Sequence, residues 1–421
     1  MSLYPFQQEG VMHLLNFDNE PLRVRASYLA DRMGLGKTVQ AAKAAAFVIG
    51  PGMGRVRNAL VVAPASALEN WRREWQKWGP QEDHTVGFIS WAQVHKITPG
   101  DWQLVILDEA HYAKNRKARR TRHGLAVAKL AERAWLLSGT PMPNHPGELF
   151  APIATLWPEI LRELGIRTEW QWIDRFCRYT NTQYGLKVYG AKNTEQLLPY
   201  LRRIMLRRTV NDVGFQLPPI RVDVSWLPKD DRLDDAVREL GLDPAGLQAR
   251  IRAEAANPDG SLSRLRRLLG ELKAPAIASQ LAQELEDREY QKIVVLAYHR
   301  SVLDLLRKRL AKYGVVGFDG GTRVDLRQQA IDAFRYDPSA RVFIGQQQAA
   351  GVAINLQAAS EIVLVEPAWS PDDNAQAIKR IHRIGSEAPC RARIFAVSDT
   401  ADGGVIEAIT RKTRMQLEVG L

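Results

Sequence analysis

Eight short apolar runs with strand-like composition are the feature that most constrains the fold of this 421-residue chain. Four of them lie between residues 25 and 140, and four lie between residues 292 and 397. Their nearly continuous hydrophobicity is typical of strands that are covered on both faces, as in parallel α/β sheets. The sequence therefore predicts an α/β protein with two parallel-sheet lobes.

The stretch between the two groups of runs is dominated by helix-like patterns. Prolines in its centre, "FQLPPIRVDVSWLPKDD" (residues 215–231), indicate an extended crossing from one lobe to the other. We therefore expect four parts in chain order: the first lobe (1–142), a helical insertion of that lobe (143–214), an inter-lobe link with a helical insertion of the second lobe (215–287), and the second lobe (288–421).

Charge and cysteine content narrow the class of protein. The net charge of +11 and the pI of about 9.6 indicate a polyanionic partner, nucleic acid first, although an arginine-rich proteome would give the same balance. No apolar run approaches the roughly 20 residues of a membrane span, and the N-terminus lacks the layout of a secretion signal. Cys177 and Cys390 fit neither a metal-ligand spacing nor a disulfide framework, which favours a reducing, cytoplasmic setting.

The segment "DRMGLGKT", residues 31–38, is close to the phosphate-binding pattern G-x-x-x-x-G-K-[ST], with Asp31 in place of the first glycine. It follows a strand-like run and precedes a helix-like one, so backbone N–H groups and the helix dipole would face an anion. Lys37 would reach the β and γ phosphates, and Thr38 would give its hydroxyl to Mg²⁺. The alternative is a chance match to Gly-Lys-Thr.

The segment "LVILDEAH", residues 104–111, brings two carboxylates to the C-terminal end of a strand, where open α/β sheets bind ligands. Asp108 is suited to hold Mg²⁺, directly or through water, and Glu109 to orient and deprotonate an attacking water. The alternative is a helix start in which both acids favour the helix dipole.

The segment "SPDDNAQAIKRIHRIGS", residues 370–386, places three polar side chains at helical spacing, so one helix face would present them together: Gln376, Arg380 and Arg383. A neighbouring face would pack its apolar side chains on the sheet: Ala377, Ile381 and Ile384. The two guanidiniums would be arginine fingers toward a transferring phosphoryl group, or else belong to a solvated basic face.

The order of these segments resembles the motif order of the superfamily-two helicase-like motors. The residues within them are similar to those of the Swi/Snf family of DNA-dependent ATPases. The resemblance rests on six ordered motifs: "DRMGLGKT", "VVAPASALENWRREW", "DEAHYAKN", "SGTPMPN", "GVAINLQAAS" and "QAIKRIHRIG". The family's loop reads D-x-M-G-L-G-K-T, with aspartate at the position of the missing glycine. "LYPFQQEGV" (3–11) resembles its N-terminal glutamine motif, and "LRRIMLRRTVNDVGFQLPP" (201–219) its arginine-rich helix and Leu-Pro link.

The resemblance implies two RecA-like lobes with ATP and Mg²⁺ in the cleft between them. The first lobe would bind the nucleotide through the glutamine that reads adenine and through the loop: Gln7, Asp31, Met33, Gly34, Leu35, Gly36, Lys37 and Thr38. Thr38 and Asp108 would hold the metal, with Glu109 beside them. The second lobe would supply Gln376, Arg380 and Arg383.

The resemblance also implies that double-stranded DNA lies across both lobes and that lobe closure moves the motor along it without separating the strands. Ser138-Gly139-Thr140 would couple nucleotide state to lobe movement. The basic clusters "KNRKARRTRH" (114–123) and "SRLRRLL" (263–269) are candidate phosphate contacts or solvated surface.

Three positions depart from the family pattern. Arg32 stands where an acid is common, Ala349-Ala350 precede Gly351 where adjacent glycines are usual, and Ser386 follows Gly385 where glutamine is commonest. Both arginines of the last motif remain, so we expect hydrolysis to survive.

The sequence is typical of a motor without appended domains, of bacterial or phage type, and is compatible with a monomer. A DNA-bound or targeting protein could direct it to its site of action. The leading hypothesis is a DNA-stimulated ATPase and translocase on double-stranded DNA, able to remodel DNA–protein complexes. The alternatives are a strand-separating or fork-remodelling helicase, including annealing, and an ATP-gated DNA clamp or recruitment module with slow hydrolysis; RNA is a further candidate ligand. No hairpin typical of a strand-separating pin is evident in the sequence.

Overall fold

The computed structural model describes residues 2–15, 25–49, 56–182, 185–210, 212–214, 217–228, 260–347, 354–368, 371–383, 386, 388–397, 406–407, 409–411 and 413. The chain divides into two compact units, Met1–Phe215 and Gln216–Leu421. Among the helices of these residues, none is long and apolar enough to cross a bilayer.

The first unit is built on a parallel sheet. Its described strands are β1 (Arg25–Leu29), β2 (Asn58–Ala63), β3 (Thr85–Ser90), β4 (Leu104–Asp108), β5 (Arg133–Leu137), β6 (Cys177–Thr182), β7 (Gly185–Ala191) and β8 (Met205–Leu206). Six of them form the sheet in the order β3-β2-β4-β5-β1-β8, and every pairing in it is parallel.

Helices cover this sheet: α1 (Pro5–Leu15), α2 (Lys37–Ile49), α3 (Leu68–Trp78), α4 (Arg119–Leu130), α5 (Phe150–Leu156), α6 (Pro158–Glu163), α7 (Glu169–Phe176) and α8 (Thr194–Ile204). Strands β4 and β5 are buried at every position, as expected for central strands with helices on both faces. Because the strands are parallel, the loops after β1, β4 and β5 meet at one edge of the sheet. These loops carry "DRMGLGKT" (31–38), "DEAH" (108–111) and "SGT" (138–140), called below the first, second and third motifs.

The predicted helical insertion, residues 143–214, is more mixed than its sequence pattern indicates. Helices α5 to α8 lie in it, but β6 and β7 form a separate antiparallel pair, and β8 joins the main sheet beside β1. The hairpin was not anticipated from the sequence.

The second unit holds the other parallel sheet. Its described elements are β9 (Ile220–Leu227), α9 (Gly260–Glu286), β10 (Ile293–Ala297), α10 (Arg300–Leu310), β11 (Val315–Val316), α11 (Val324–Tyr336), β12 (Val342–Gln346), β13 (Glu361–Leu364), α12 (Pro371–Ile378) and β14 (Cys390–Val397). The strand order is β11-β12-β10-β13-β14-β9, again parallel throughout.

Residues 220–227 fall in the segment that the prolines predict to be an inter-lobe link. They form edge strand β9, which pairs with β14 from Ile220 to Leu227. Helix α9 buries an apolar stripe at helical spacing, with Ala274, Ile277 and Leu281 in the core beneath α10. The predicted fold class, two parallel-sheet α/β lobes, is confirmed.

Candidate functional site

The loop between β1 and α2 has the backbone shape of a phosphate-binding turn. Gly34 and Gly36 have φ values of 94° and 77°, a left-handed region that side chains with a Cβ rarely occupy. Helix α2 begins at Lys37, and Gln40 N–H donates to the Gly36 carbonyl at 3.0 Å. The loop therefore sits at the N-terminus of a helix, where backbone N–H groups are free of helical partners.

Asp31 is held by a buried arginine from the far end of the unit. Arg208 Nε and Nη2 donate to its two carboxylate oxygens at 3.0 and 2.7 Å, a bidentate pair. Gln40 Nε2 adds a hydrogen bond of 3.2 Å to the same carboxylate. Asp31 is fully buried and Arg208 is 8% exposed, so this pair is shielded from water.

The same guanidinium also contacts α1. Arg208 Nη1 donates to the Phe6 carbonyl at 2.6 Å and to Glu9 Oε2 at 2.9 Å, and the guanidinium lies 5.7 Å from the centre of the Phe6 ring. Through Arg208, the aspartate that replaces the first glycine of the common pattern therefore connects the loop to α1 and to the chain after β8.

Gln7 lies against the loop, as the resemblance implies for an adenine reader. Its Nε2 donates to the Leu35 carbonyl at 3.4 Å, and its Oε1 accepts from Tyr4 N–H at 3.1 Å. A Cβ added at Gly36 would come within 2.6 Å of Gln7 Nε2. The φ angle therefore favours glycine at position 36, and a larger residue there would also displace the Gln7 amide.

Lys37 folds its ammonium back over the loop. Its Nζ donates to the carbonyls of Asp31 and Arg32 at 2.7 and 3.4 Å. A Cβ at Gly139 would meet Met33 Cγ at 2.7 Å and Lys37 Nζ at 3.4 Å, so the third motif packs directly on the loop. Thr38, the next residue of α2, is half-buried.

Asp108 ends β4 and is held by two tryptophans. Trp71 Nε1 donates to its Oδ2 at 2.7 Å, and Trp91 Nε1 donates to its backbone carbonyl at 2.7 Å. Burial raises the pKa of Asp108 to about 6; the neighbouring Glu109 carboxylate adds to the rise, and the Trp71 hydrogen bond and Lys37 ammonium oppose it. A cation beside Asp108 would favour its charged form.

Glu109 has a left-handed backbone, with φ 48° and ψ 51°, which turns the chain sharply after the strand. Its Oε2 lies 3.2 Å from His111 Nδ1, and the same nitrogen lies 3.0 Å from Ser138 Oγ. Ser138 Oγ also accepts from Thr140 N–H at 3.2 Å. A continuous polar network therefore joins the second motif to the third.

The residues of this edge suit a magnesium-bound nucleoside triphosphate. Among the described residues there is no cluster of three or more carboxylate, histidine or cysteine side chains that could enclose a metal alone. Mg²⁺ is commonly bound through one or two protein oxygens together with substrate phosphates. Thr38 and Asp108 offer a hydroxyl and a carboxylate of this kind, beside a loop whose glycines leave room for a close backbone approach.

In the second unit, the predicted helix is shorter than its pattern indicates. Helix α12 carries Gln376 but ends at Ile378, and Arg380 and Arg383 lie in the tight turns that follow. Arg380 N–H donates to the Ala377 carbonyl at 3.1 Å, an i to i+3 bond of the kind that closes a helix. The prediction that one continuous helix carries all three side chains is therefore wrong.

Side-chain hydrogen bonds hold the turns that follow this helix. Ser386 Oγ donates to the Ile381 carbonyl at 2.6 Å and accepts from Arg383 N–H at 3.1 Å. His382 Nε2 lies 2.7 Å from the Pro218 carbonyl. Ser386, a departure from the family pattern, thus fixes the turn that carries Arg383. As predicted, Ala377 and Ile381 are buried in the core.

The remaining predictions have mixed outcomes. Ala349-Ala350, Gly351, Ile384 and Gly385 lie outside the described residues. Arg32 is buried and its N–H donates to the Arg208 carbonyl at 2.9 Å, but nothing in the structure explains its choice over an acid. Arg380 is buried within the second unit.

The sequence did not reveal the side chains that contact and position the predicted site residues. Arg208 lay in a stretch assigned to an arginine-rich helix, yet α8 ends at Ile204 and Arg208 follows β8. Trp71 and Trp91 carried no signal beyond their burial-prone side chains; Trp71 and Trp75 are four residues apart and share the buried face of α3.

Comparison with known proteins agrees with this arrangement. A SNF2-related domain matches residues 6–91 and 89–232, and a helicase conserved C-terminal domain matches residues 276–385. A SWI/SNF-related matrix-associated actin-dependent regulator of chromatin subfamily A-like protein 1 homolog from Caenorhabditis elegans is 29% identical over 100% of this chain and 62% of its own. The DNA annealing helicase and endonuclease ZRANB3 of Bos taurus is 30% identical over 98% of this chain and 40% of its own.

Among solved structures, the SWI2/SNF2 ATPase core of Sulfolobus solfataricus in complex with dsDNA is 19% identical, with a TM-score of 0.45 over 100% of this chain and 93% of that one. The chain spans less than two thirds of the length of the two relatives. The two domain matches together cover most of the sequence, in the order of the two units. The chain belongs to the SNF2-related family and carries its helicase-like ATPase core.

Proposed function

We propose that this protein is a DNA-stimulated ATPase that moves along double-stranded DNA without separating its strands. The observation that supports this most directly is the polar network from Glu109 through His111 to Ser138, beside the glycine loop. It links Glu109, the proposed base for hydrolysis, through His111 to the motif that follows β5. A nucleotide-dependent change at Glu109 would thus reach a segment outside the nucleotide site.

In this proposal, Mg²⁺-bound ATP supplies the phosphoanhydride bond whose hydrolysis drives the motor. Lys37 and the loop amides bind phosphate oxygens, Gln7 reads the adenine, and Thr38 with Asp108 holds the metal. Glu109 accepts a proton from the attacking water. The contacts of Lys37 with the loop carbonyls support this reading, since they hold its ammonium at the loop.

The second unit contributes Gln376, Arg380 and Arg383 to the same reaction. Guanidiniums act there by stabilising charge on the transferring phosphoryl group. The cap formed by Ser386 on the Arg383 turn supports a fixed position for that arginine. The four predicted parts of the chain, 1–142, 143–214, 215–287 and 288–421, are proposed as its functional divisions.

Double-stranded DNA is the proposed partner, bound mainly through its phosphates. The net charge of +11 supports a polyanionic partner. A DNA-bound or targeting protein remains a proposed second partner. The buried, unpaired thiols of Cys177 and Cys390 are compatible with the proposed reducing cytoplasm of a bacterium or infected host.

ATPase rates with blunt duplex, single-stranded DNA, forked DNA and RNA test the proposal. Duplex is expected to stimulate hydrolysis most, and Glu109→Gln is expected to bind ATP while losing stimulated turnover. Arg383→Ala should also bind ATP and hydrolyse it slowly. Lys129→Ala, at an exposed helix end, is the matched control and should keep wild-type turnover. Equal rates with and without every duplex length would contradict the proposal.

A second candidate function is fork remodelling or strand annealing. A relative named as a DNA annealing helicase, 30% identical over 98% of this chain, favours it. A strand-displacement and annealing assay on forked DNA separates the two candidates. ATP-dependent removal of a triplex third strand would support translocation and exclude a stationary, ATP-gated clamp.

A further inference from the structure

The strands β6 and β7 form a two-stranded antiparallel ribbon that belongs to neither large sheet. Most of its described side chains are exposed or half-buried. Two strands alone bury too little surface to be stable in water, so such a ribbon needs support from its base. Its exposed surface is therefore available to bind a partner.

The base of the ribbon is tied to the segment that follows the third motif. Trp172 Nε1, on α7 just before β6, donates to the Pro146 carbonyl at 2.9 Å. A Cβ at Gly147 would lie 3.4 Å from Cys177 Sγ, the first residue of β6. Glu148, in the same short 3₁₀ turn, pairs with Lys114 at 3.2 Å, and Lys114 follows the second motif. Packed contacts thus run from the nucleotide edge to the ribbon.

The two strands of the ribbon carry basic side chains and no acid; the flanking acids are Asp174, three residues before β6, and Glu195, four residues after β7. Residues 175–192 contain four basic side chains and no aspartate or glutamate: Arg175, Arg178, Lys187 and Lys192. Arg178 and Lys187 are exposed on its two strands, whereas Arg175 donates to Gln196 and to the Leu164 carbonyl at its base. The surface therefore suits a polyanion.

The ribbon also presents an aromatic side chain at a β-bulge. Tyr179 pairs with Val188, but Arg178 pairs with Gly190, so Tyr189 is the extra residue of the bulge. Tyr189 is 59% exposed. Bulges turn a side chain away from the regular alternation of a strand and recur next to functional sites.

A second aromatic pair stiffens the ribbon near its base. Trp170 packs edge-on against Tyr179, with ring centres 5.1 Å apart, and Lys192 Nζ lies 5.6 Å from the centre of the Tyr179 ring. Tyr179 Oη donates to Asp174 at 2.8 Å. Tyr179 is thus fixed by its neighbours, and Tyr189 is the aromatic side chain of the strand pair that faces solvent.

We propose that the β6–β7 ribbon binds DNA where a duplex opens into a single strand. Tyr189 stacks on an unpaired base, and Arg178 and Lys187 contact the flanking phosphates. An exposed ring beside cations is the combination that single-strand binders use, because every unstacked base offers an aromatic face. A ribbon can also enter the major groove, but paired bases are stacked on each other and offer the ring no face.

This inference rests on the proposed function, because the ribbon belongs to the same DNA motor; the contact is with a junction that already exists and requires no strand separation by the motor. Its test is equilibrium binding of the full chain to forked and to blunt DNA without ATP, with 2-aminopurine at the first unpaired position. Tyr189→Ala is expected to weaken fork binding roughly 5- to 160-fold, the equivalent of about 1–3 kcal/mol for loss of one stacked base. It should also abolish the quenching of 2-aminopurine, while Tyr189→Phe retains both.

Two controls make the result specific. Tyr336→Ala removes a tyrosine that is 70% exposed in the second unit and should leave fork binding unchanged. Lys187→Ala should weaken fork binding and reduce the salt dependence by about one phosphate contact. Melting temperatures equal to wild type would show that the exposed substitutions leave the fold intact.

The outcomes separate the inference from the proposed function. Equal fork affinity and equal quenching in wild type and Tyr189→Ala would overturn the ribbon contact, even if duplex stimulates ATP hydrolysis. Equal losses on blunt and forked DNA would overturn the role of an unpaired base, as would a ribbon that binds a protein but not the fork. Failure of any DNA to stimulate wild-type ATPase, with the fork-specific loss present, would overturn only the motor proposal.

Discussion

Replacing Asp31 with glycine would restore the common phosphate-loop pattern, yet we predict that it damages this protein. In the structure, Asp31 is the buried partner of Arg208, with two hydrogen bonds of 3.0 and 2.7 Å. Asp31→Gly would leave the guanidinium in the interior without its main counter-charge. The substitution therefore tests whether the aspartate is a structural anchor or an imperfect glycine.

The magnitude follows from burial. Removing one partner of a buried ion pair costs about 3–5 kcal/mol, because the remaining charge stays desolvated. Arg208 would keep the Phe6 carbonyl and Glu9, whose side chain is 70% exposed, so the lower end of that range applies. For a unit of about 200 residues, a loss of about 3 kcal/mol lowers the melting temperature by roughly 6–12 °C.

Urea unfolding and thermal melting of the full chain measure the effect, with fluorescent ATP-analogue binding as the functional readout. Asp31→Asn keeps the shape and loses the charge, so it should fall between wild type and Asp31→Gly. The double variant Asp31→Asn/Arg208→Gln should lose less stability than the sum of its single variants, because neither charge is then left alone.

An Asp31→Gly variant as stable as wild type, with equal or tighter nucleotide binding, would refute this reasoning. Additive losses in the double variant would refute it as well, since they would mean that the two side chains do not interact in solution.

Three further predictions follow from the same structure. Gly36→Ala should weaken ATP-analogue binding, because its φ of 77° is one that a residue with a Cβ rarely adopts; unaltered binding would contradict the loop geometry. Trp71→Phe, which removes the donor to Asp108 Oδ2, should raise the Mg²⁺ concentration for half-maximal ATPase; an unchanged Mg²⁺ titration would contradict a metal role for that carboxylate. Burial raises the pKa of Glu361 to about 7 despite its bond to Arg393, so the folded state holds a proton that the unfolded state loses above its ordinary pKa near 4.5. Stability should therefore fall between pH 5 and 7, and Glu361→Gln should remove that part of the urea-midpoint slope; parallel wild-type and variant slopes would contradict it.

The fold class and the loop were open to prediction because they depend on local patterns. The runs around β1, β4 and β5 are continuous and apolar, so they predict buried parallel strands. The glycines of "DRMGLGKT" are required by the loop's own φ angles. In each case, the physical cause lies within a few residues of the pattern.

The side chains that position the site residues could not be predicted in this way. Arg208 is 177 residues from Asp31 in sequence, and one basic residue among many gives no sign of its partner. The turns after the Gln376 helix are held by bonds of Ser386 and His382 to the Ile381 and Pro218 carbonyls, contacts that helical spacing cannot reveal. The ribbon escaped prediction because its strands face solvent on most sides and so lack apolar alternation.

The buried pair at Asp31 also bears on how the proposed motor would transmit movement. Arg208 is bonded to the loop through Asp31 and to α1 through Phe6 and Glu9, and it lies shortly before the first unit ends at Phe215. The chain therefore leaves the first unit from a point fixed to the nucleotide loop. Because a bidentate buried pair fixes both partners in position and orientation, a shift of the loop would carry this point with it.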